Sequence, residues 1–356
     1  MSASNGPSHR SPVIDPGADT LVELVLDGGR QLGFGHVGRC LALWEELRGR
    51  AAFRVLDDTL AAFLQARGVP SVPAQGAGVG EAPILLLDRA KPTDVQEVRS
   101  LKAAGRRVVL LDDLGSGRMA ADAVIDPPTA AAWPPAAGER LAGFEYVLLR
   151  REVREAADAL DRERQARPGR TPREGALVQS TDRGAASQRN LPSEGVLVAM
   201  GGSDPAGLTV PLSEALARAG IQTNVALGPG YGGTRPRESP ALERSDQPDA
   251  FPSALARAAL LVCGYGHTLL EAAHLGVPAI SVVFRGEHLP HARAFCCAGT
   301  ACMLDMSEGA RPAELVALVG ELLGNERGRA EMTGRGRELV DGLGAARTAE
   351  ALRALV

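Results

Sequence analysis

Short apolar runs alternate with longer helical patterns along nearly the whole chain, and this alternation restricts the fold more than any other feature. From Leu21 the order is LVELVLD, HVGRCLALWEELR, AAFRVLDD, TLAAFLQARG, PILLLD, DVQEVRSLKAAG, RRVVLLDD and DAVID. Strands that alternate with helices build βαβ units, whose parallel sheet is covered on both faces. A second series begins at GVLVAM. It runs through GLTVPLSEALARAG, IQTNVAL, a glycine-rich loop and ALARAALLVCGYGHTLLEAAHLGVPAISVVF to closing helices that end at Val356. At 356 residues the chain exceeds what one core usually holds, so two domains are expected.

The predicted organisation is a polar, mobile tail over 1–20, a Rossmann-like domain over 21–150, and a linker or inserted loop over 151–194. A second Rossmann-like domain covers 195–340, and a C-terminal helix over 341–356 is free to pack back on the first domain. Residues 151–194 are charged and polar, with a helical pattern only at their start. No fixed period recurs, which excludes a solenoid. Two such α/β halves would face each other across a cleft, outside the carboxyl ends of their strands, where such proteins hold ligands.

Composition narrows the function. A net charge of −4 and an aromatic content of 3% argue against nucleic acid as a partner. The five cysteines, Cys40, Cys263, Cys296, Cys297 and Cys302, form no C-x-x-C pair, so no metal site is predicted and reduced thiols in the cytoplasm are the simplest expectation. The first residues lack an apolar signal core, and no apolar run approaches the ~20 residues that span a bilayer. A soluble protein without an integral membrane segment follows, with contact at a membrane surface left open. No cofactor is called for, and nothing bears on oligomeric state.

LGFGHVGRC, between the first strand and the first helix, reads literally as G-x-G-x-x-G. Gly33 and Gly35 suit a strand-to-helix turn and equally a close-approaching ligand. The dinucleotide reading gains support from Asp57 and Asp58, which end the next strand where a ribose-binding acid is expected. A turn without any ligand explains the same glycines. His36 favours a third reading: at the positive end of a helix, a neutral imidazole is available as a base for water or an acceptor hydroxyl. It is equally an ordinary residue of a helix start. In MGGSDP, Gly201, Gly202, Ser203 and Asp204 can offer donors to phosphate oxygens, or Ser203 and Asp204 can simply cap a helix.

The stretch LDGGRQLGFGHVGRCLAL resembles the N-terminal motif of the UDP-sugar hydrolases of pseudaminic-acid biosynthesis and the related spore coat polysaccharide proteins. Asp27, Gly33, Gly35, His36, Arg39 and Cys40 carry the match. LLDDLGSGRMAADAVID, FEYVLLRREV, MGGSDPAGLT and LVDGLGAARTAEAL resemble further segments of that family in the same order. GYGHTLLEAAHLGVP is similar to the nucleotide-binding segment of glycosyltransferases of the two-domain GT-B architecture. The resemblance implies an α/β fold of GT-B type, with two Rossmann-like domains whose parallel sheets face across a cleft. It also implies a UDP-linked nucleotide sugar. The nucleotide would lie on Gly201 to Asp204, Gly266, His267, Thr268 and Glu271, with Glu271 on the ribose. In FRGEHLPHARAF, Glu287, His288 and His291 match sugar or phosphate contacts. His288 and His291 could equally suggest a metal, but no third ligand is evident. No D-x-D triplet is present for a metal-held diphosphate.

The chain departs from the family at three places. Asp88 is followed by Arg89 and Ala90 where the family carries a tyrosine, Tyr265 and His267 stand in place of a glycine and a serine, and GSGRMAAD lacks the usual D-R-x-H. The expected activity is hydrolysis of a UDP-sugar at the anomeric carbon with inversion. His36 would be the general base, Asp27 would orient His36 or a substrate hydroxyl, and helix N-termini would stabilise the departing diphosphate. The alternatives are a glycosyltransferase with an unknown acceptor, a degenerate nucleotide-binding relative and, ranked last, a dinucleotide oxidoreductase.

Overall fold

The computed structural model describes residues 19–27, 35–55, 58–73, 82–126, 128, 133–166 and 195–356. Most of the expected tail, Gly33 and Asp57 of the glycine-loop reading, and 167–194 of the expected linker lie outside them. The first domain contains β1 (Val22–Leu26), α1 (Gly35–Glu46), β2 (Ala51–Val55), α2 (Asp58–Ala66), β3 (Ser71–Pro73), β4 (Ile84–Asp88), α3 (Val95–Ala103), β5 (Arg107–Leu111), β6 (Ala123–Asp126) and β7 (Glu139–Ala142). Its seven strands are all parallel, in the order β3-β2-β1-β4-β5-β6-β7.

Helix α4 (Arg151–Ala166) leads to the second domain. That domain comprises β8 (Val196–Ala199), α5 (Thr209–Arg218), β9 (Thr223–Ala226), β10 (Leu242–Ser245), α6 (Phe251–Arg257), β11 (Leu260–Gly264), α7 (His267–Leu275), β12 (Ala279–Val283), α8 (Leu289–Cys297), β13 (Ala301–Asp305), α9 (Pro312–Gly324) and α10 (Glu326–Leu339), and α11 (Gly344–Ala354) ends the chain. Six parallel strands form its sheet, in the order β10-β9-β8-β11-β12-β13.

Successive side chains of a strand point to opposite faces, and each sheet therefore feeds two cores. In the first domain Leu24, Leu26, Ile84 and Leu86 join the core under α1 and α2, while Val25, Leu85 and Leu87 join the one under α3. Central strands buried on both faces explain the continuous apolar runs. Two helices cross between the domains. Where the sequence suggests a linker from 151, α4 instead sets Val153, Ala157 and Leu160 into the second domain's core. At the other end, α11 places Ala345, Ala349 and Leu352 in the core of the first. No helix among the described residues is long and apolar enough to cross a membrane.

Candidate active site

Each sheet has a point where the strand order reverses beside its first strand, between β1 and β4 in one domain and between β8 and β11 in the other. Connections leaving such neighbours diverge to opposite faces and open a crevice at the strand ends. The candidate site draws on both crevices.

In the first domain, Asp88 ends β4 and is fully buried. His36 and Arg39, three apart on α1, meet it from one helix face. His36 Nδ1 lies 2.5 Å from Asp88 Oδ1, Arg39 Nε donates to Oδ2 at 2.7 Å, and Arg39 Nη2 donates to Oδ1 at 2.5 Å. Arg39 Nη1 reaches Asp112 Oδ2, just beyond β5, at 2.8 Å. The Cys40 thiol donates to Asp88 at 3.5 Å, and burial pushes that thiol well above its ordinary range.

Burial alone would raise the Asp88 carboxyl. The Arg39 guanidinium and the His36 ring outweigh it and hold the group well below the usual carboxylate range. Arg39 Nη2 also lies 3.2 Å from His36 Nδ1. A carboxylate can only accept and its contact is the shorter, so Nδ1 carries the hydrogen given to Asp88. The His36 side chain, 22% exposed, is thus held in a fixed orientation, with Nε2 as the ring nitrogen not engaged by Asp88.

Of the two roles expected for Asp27, the structure gives the orientation of His36 to another residue. The carboxylate that orients His36 is Asp88, whereas Asp27 Oδ1 accepts the Ala90 backbone N–H at 2.8 Å and braces the turn after β4.

In the second domain the equivalent crevice is built of backbone. Gly201 adopts a left-handed φ of +85°, which an L side chain rarely takes. Gly228, after β9, lies so close that a Cβ there would come within 2.4 Å of the Gly202 carbonyl oxygen. Helix α7 starts at an exposed Gly266 with no side-chain cap, so no side chain satisfies its first N–H groups. Gly201, Gly202, Thr268, Glu271 and, from α1, Gly35 and Gly38 line a cavity of about 600 Å³ between the domains.

Glu271, almost fully buried, receives Arg150 Nε and Nη2 on one oxygen, each at 2.8 Å. His267 borders this cavity and a smaller one shared with Arg39 and Asp112. Its ring bonds the Leu148 carbonyl across the domain joint, while Nε2 is buried without a partner. Burial, reinforced by Arg39 and Arg150 and opposed by Glu271, lowers its pKa to about 4.

Of the other expected residues, His36, Arg39, Ser203, Asp204, Gly266, Glu287, His288 and His291 do not line the larger cavity. The Asp204 carboxylate accepts from Leu208 N at 3.0 Å and Thr209 N at 2.8 Å, capping α5, and neither it nor half-buried Ser203 lines the cavity. The short turn over Gly286–His288 leaves Glu287 exposed, 4.0 Å from Arg285. It turns His288 toward Tyr265, with ring centroids 5.6 Å apart. His291 in turn meets Trp133 of the first domain, whose Nε1 donates to it at 3.4 Å. No group of three candidate ligands for a metal occurs among the described residues.

Residue-by-residue reading overlooked Asp88 and Asp112 as site members, although both follow apolar runs in strands at or near the order reversal. It also overlooked Arg150 and the cavity's Trp44, Phe63 and Gln247. No local pattern marks these, because they come together only at the cavity between the domains.

No family model and no curated protein sequence matches the chain. Solved structures do. MurG of Acinetobacter baumannii is similar with a TM-score of 0.57 at 14% identity, covering 93% of this chain and 99% of that one. HepE of Anabaena, in complex with UDP-glucose, gives 0.57 at 12%, covering 94% and 100%. UDP-GlcNAc 2-epimerase from Neisseria meningitidis, bound to UDP-GlcNAc, gives 0.54 at 9%, again covering 94% and 100%. The fold is therefore GT-B, two parallel α/β domains facing across a cleft.

Proposed function

We propose that this protein is a nucleotide-sugar enzyme that cleaves the anomeric C–O bond of a UDP-linked sugar, with water as nucleophile and the nucleotide diphosphate as leaving group. The observation that carries the reading is the His36–Asp88 pair, 2.5 Å apart, on a helix whose Gly35 and Gly38 flank His36 and line the cavity. His36 Nε2 takes the proton of water as its oxygen attacks the anomeric carbon. Asp88 holds the ring in the required tautomer and balances the imidazolium that forms. The bond to the diphosphate breaks on the opposite side, so the configuration inverts.

The departing negative charge falls to the backbone of Gly201 and Gly202 and to the start of α7 with Thr268. These donors need no titration to act. Glu271, already oriented by Arg150, is the acceptor for ribose hydroxyls. The UDP assignment and the pseudaminic-acid or spore-polysaccharide setting rest on the sequence resemblance, and UDP-sugars bound to HepE and the epimerase agree with the former.

Glycosyltransferases among the structural neighbours, including one of kitacinnamycin and SpnP, a forosaminyltransferase of spinosyn, favour a second reading. There an acceptor hydroxyl replaces water at His36. One experiment separates the two: assay UDP release from a panel of UDP-sugars, without acceptor, for the natural chain and His36→Ala. Release that depends on His36 supports hydrolysis, UDP binding without release supports transfer, and absence of UDP binding overturns the nucleotide assignment.

A further inference from the structure

The cavity extends well beyond the glycines and helix start that would take a diphosphate. Along α1 it is lined from Gly35 to Trp44 and Glu45, about 15 Å of helix. Its remaining wall combines Phe63 and Arg67 of the first domain with Gln247, Asp249 and Phe251 of the second. Arg67, just beyond the end of α2, is held in two ways. Its guanidinium lies over the Phe63 ring, 3.8 Å from the centroid, and Nη2 donates to Asp249 of the other domain at 2.6 Å. One face of the group is therefore covered and one edge paired. The guanidinium that lines the cavity is thus a flat cationic plane fixed by contacts to both domains. The side chain is 32% exposed.

We propose that this plane is the stacking platform for the nucleobase, with the Gln247 amide facing the base edge. The proposal rests on the nucleotide reading above and extends it. The base would be held partly by the first domain, so that its binding draws the two domains together. The chemistry fits a planar heteroaromatic ring: guanidinium planes stack on π-systems, and an amide offers both a donor and an acceptor to a base edge. A lysine at the same place keeps the charge and can reach Asp249 but has no plane.

Calorimetric titration of the full-length protein tests this with UDP, ADP and inorganic pyrophosphate against the natural chain, Arg67→Lys, Arg67→Ala and Gln247→Ala. Arg67→Lys and Arg67→Ala are each expected to lose about tenfold in UDP affinity while binding pyrophosphate as before. Gln247→Ala is expected to shrink the preference between UDP and ADP. Arg67→Lys binding UDP like the natural chain overturns the proposal, as does an equal loss for pyrophosphate. Equal affinity of the natural chain for UDP and pyrophosphate also overturns it, while leaving the diphosphate site standing. Failure of the natural chain to bind any of the three overturns the nucleotide reading itself. Melting temperatures of all variants, expected within a few degrees of the natural chain, guard against misfolding as the cause.

Discussion

At the β1/β4 crevice His36, Arg39, Asp88 and Asp112 are locked together by short ionic hydrogen bonds. At the β8/β11 crevice the chain offers glycine backbone and a helix start that no side chain caps. Both crevices arise from the same reversal of strand order, so topology fixes where a ligand lies and not what is done to it. Side chains that titrate can move a proton, which a backbone N–H cannot do. Backbone donors hold an anion at any pH and need no counter-charge. A divided site of this kind should fail in two different ways when its halves are damaged.

The largest effect is expected in the first domain. Asp88→Asn should lower the rate of nucleotide release by about 10²- to 10⁴-fold, since the amide no longer balances the imidazolium, with UDP affinity within about twofold of the natural chain. Asp88→Ala should in addition cost about 3–5 kcal/mol of stability, read from urea unfolding, because Arg39 is left buried with one partner fewer. Retention of more than about a tenth of the activity by Asp88→Asn would remove the pair from the mechanism.

The reverse pattern is expected in the second domain. Gly228→Ala forces a methyl group toward the Gly202 carbonyl and must shift the loop that carries Gly201 and Gly202. UDP affinity should fall by more than about tenfold, roughly 1.4 kcal/mol, while kcat at saturation changes little. If kcat fell as far as affinity, the two crevices would be acting as one unit and the comparison would break.

His267 stands between the crevices, and its titration gives a weaker signal with a definite sign. Its pKa is about 4 in the fold against 6.5 in an open chain. Between those values the unfolded chain binds more protons than the native one, so this group's contribution to stability rises with pH. It is complete above about pH 6.5 and is lost progressively as pH falls toward 4, a difference of about 3 kcal/mol at most. Urea midpoints at pH 5 and pH 7 should therefore lie closer together in His267→Asn than in the natural chain. Equal separation in both proteins would mean that the ring is hydrated and not held neutral by burial.

The legible and illegible parts of this molecule divide along the same physical lines. The central strands are buried on both faces and read as apolar runs. The strands that sequence reading passed over are β3, β7, β10 and β13, which lie at the four sheet edges. LERS and ERLA bury only part of their length, so neither an apolar run nor a clean alternation survives in them. Within the site, His36, Arg39 and the glycine loops were legible because each sits in a compact stretch between a strand and a helix. Asp88 was hidden in plain view at a strand end, its importance set by a partner 52 residues away. Arg150, Trp44 and Phe63 gain meaning only from the cavity that the two domains form together.

Asp204 gives the finest discrimination, because its sequence context fits two roles and its geometry fits one. Its two oxygens accept the Leu208 and Thr209 N–H groups, and the residue holds a left-handed φ of 46° that asparagine also tolerates. Asp204→Asn keeps one accepting oxygen and turns an amide N–H against the other backbone donor, so it should cost about 1 kcal/mol, whereas Asp204→Ala, which loses both acceptors, should cost about 2 kcal/mol. Neither should alter UDP affinity by more than about twofold, provided the loop keeps its shape. A ligand role predicts another order: loss of the carboxylate would weaken or strengthen UDP binding in Asp204→Asn itself, with stability unchanged. Unfolding and UDP titration of the two variants side by side thus decide whether the backbone crevice works without any acidic side chain of its own loop.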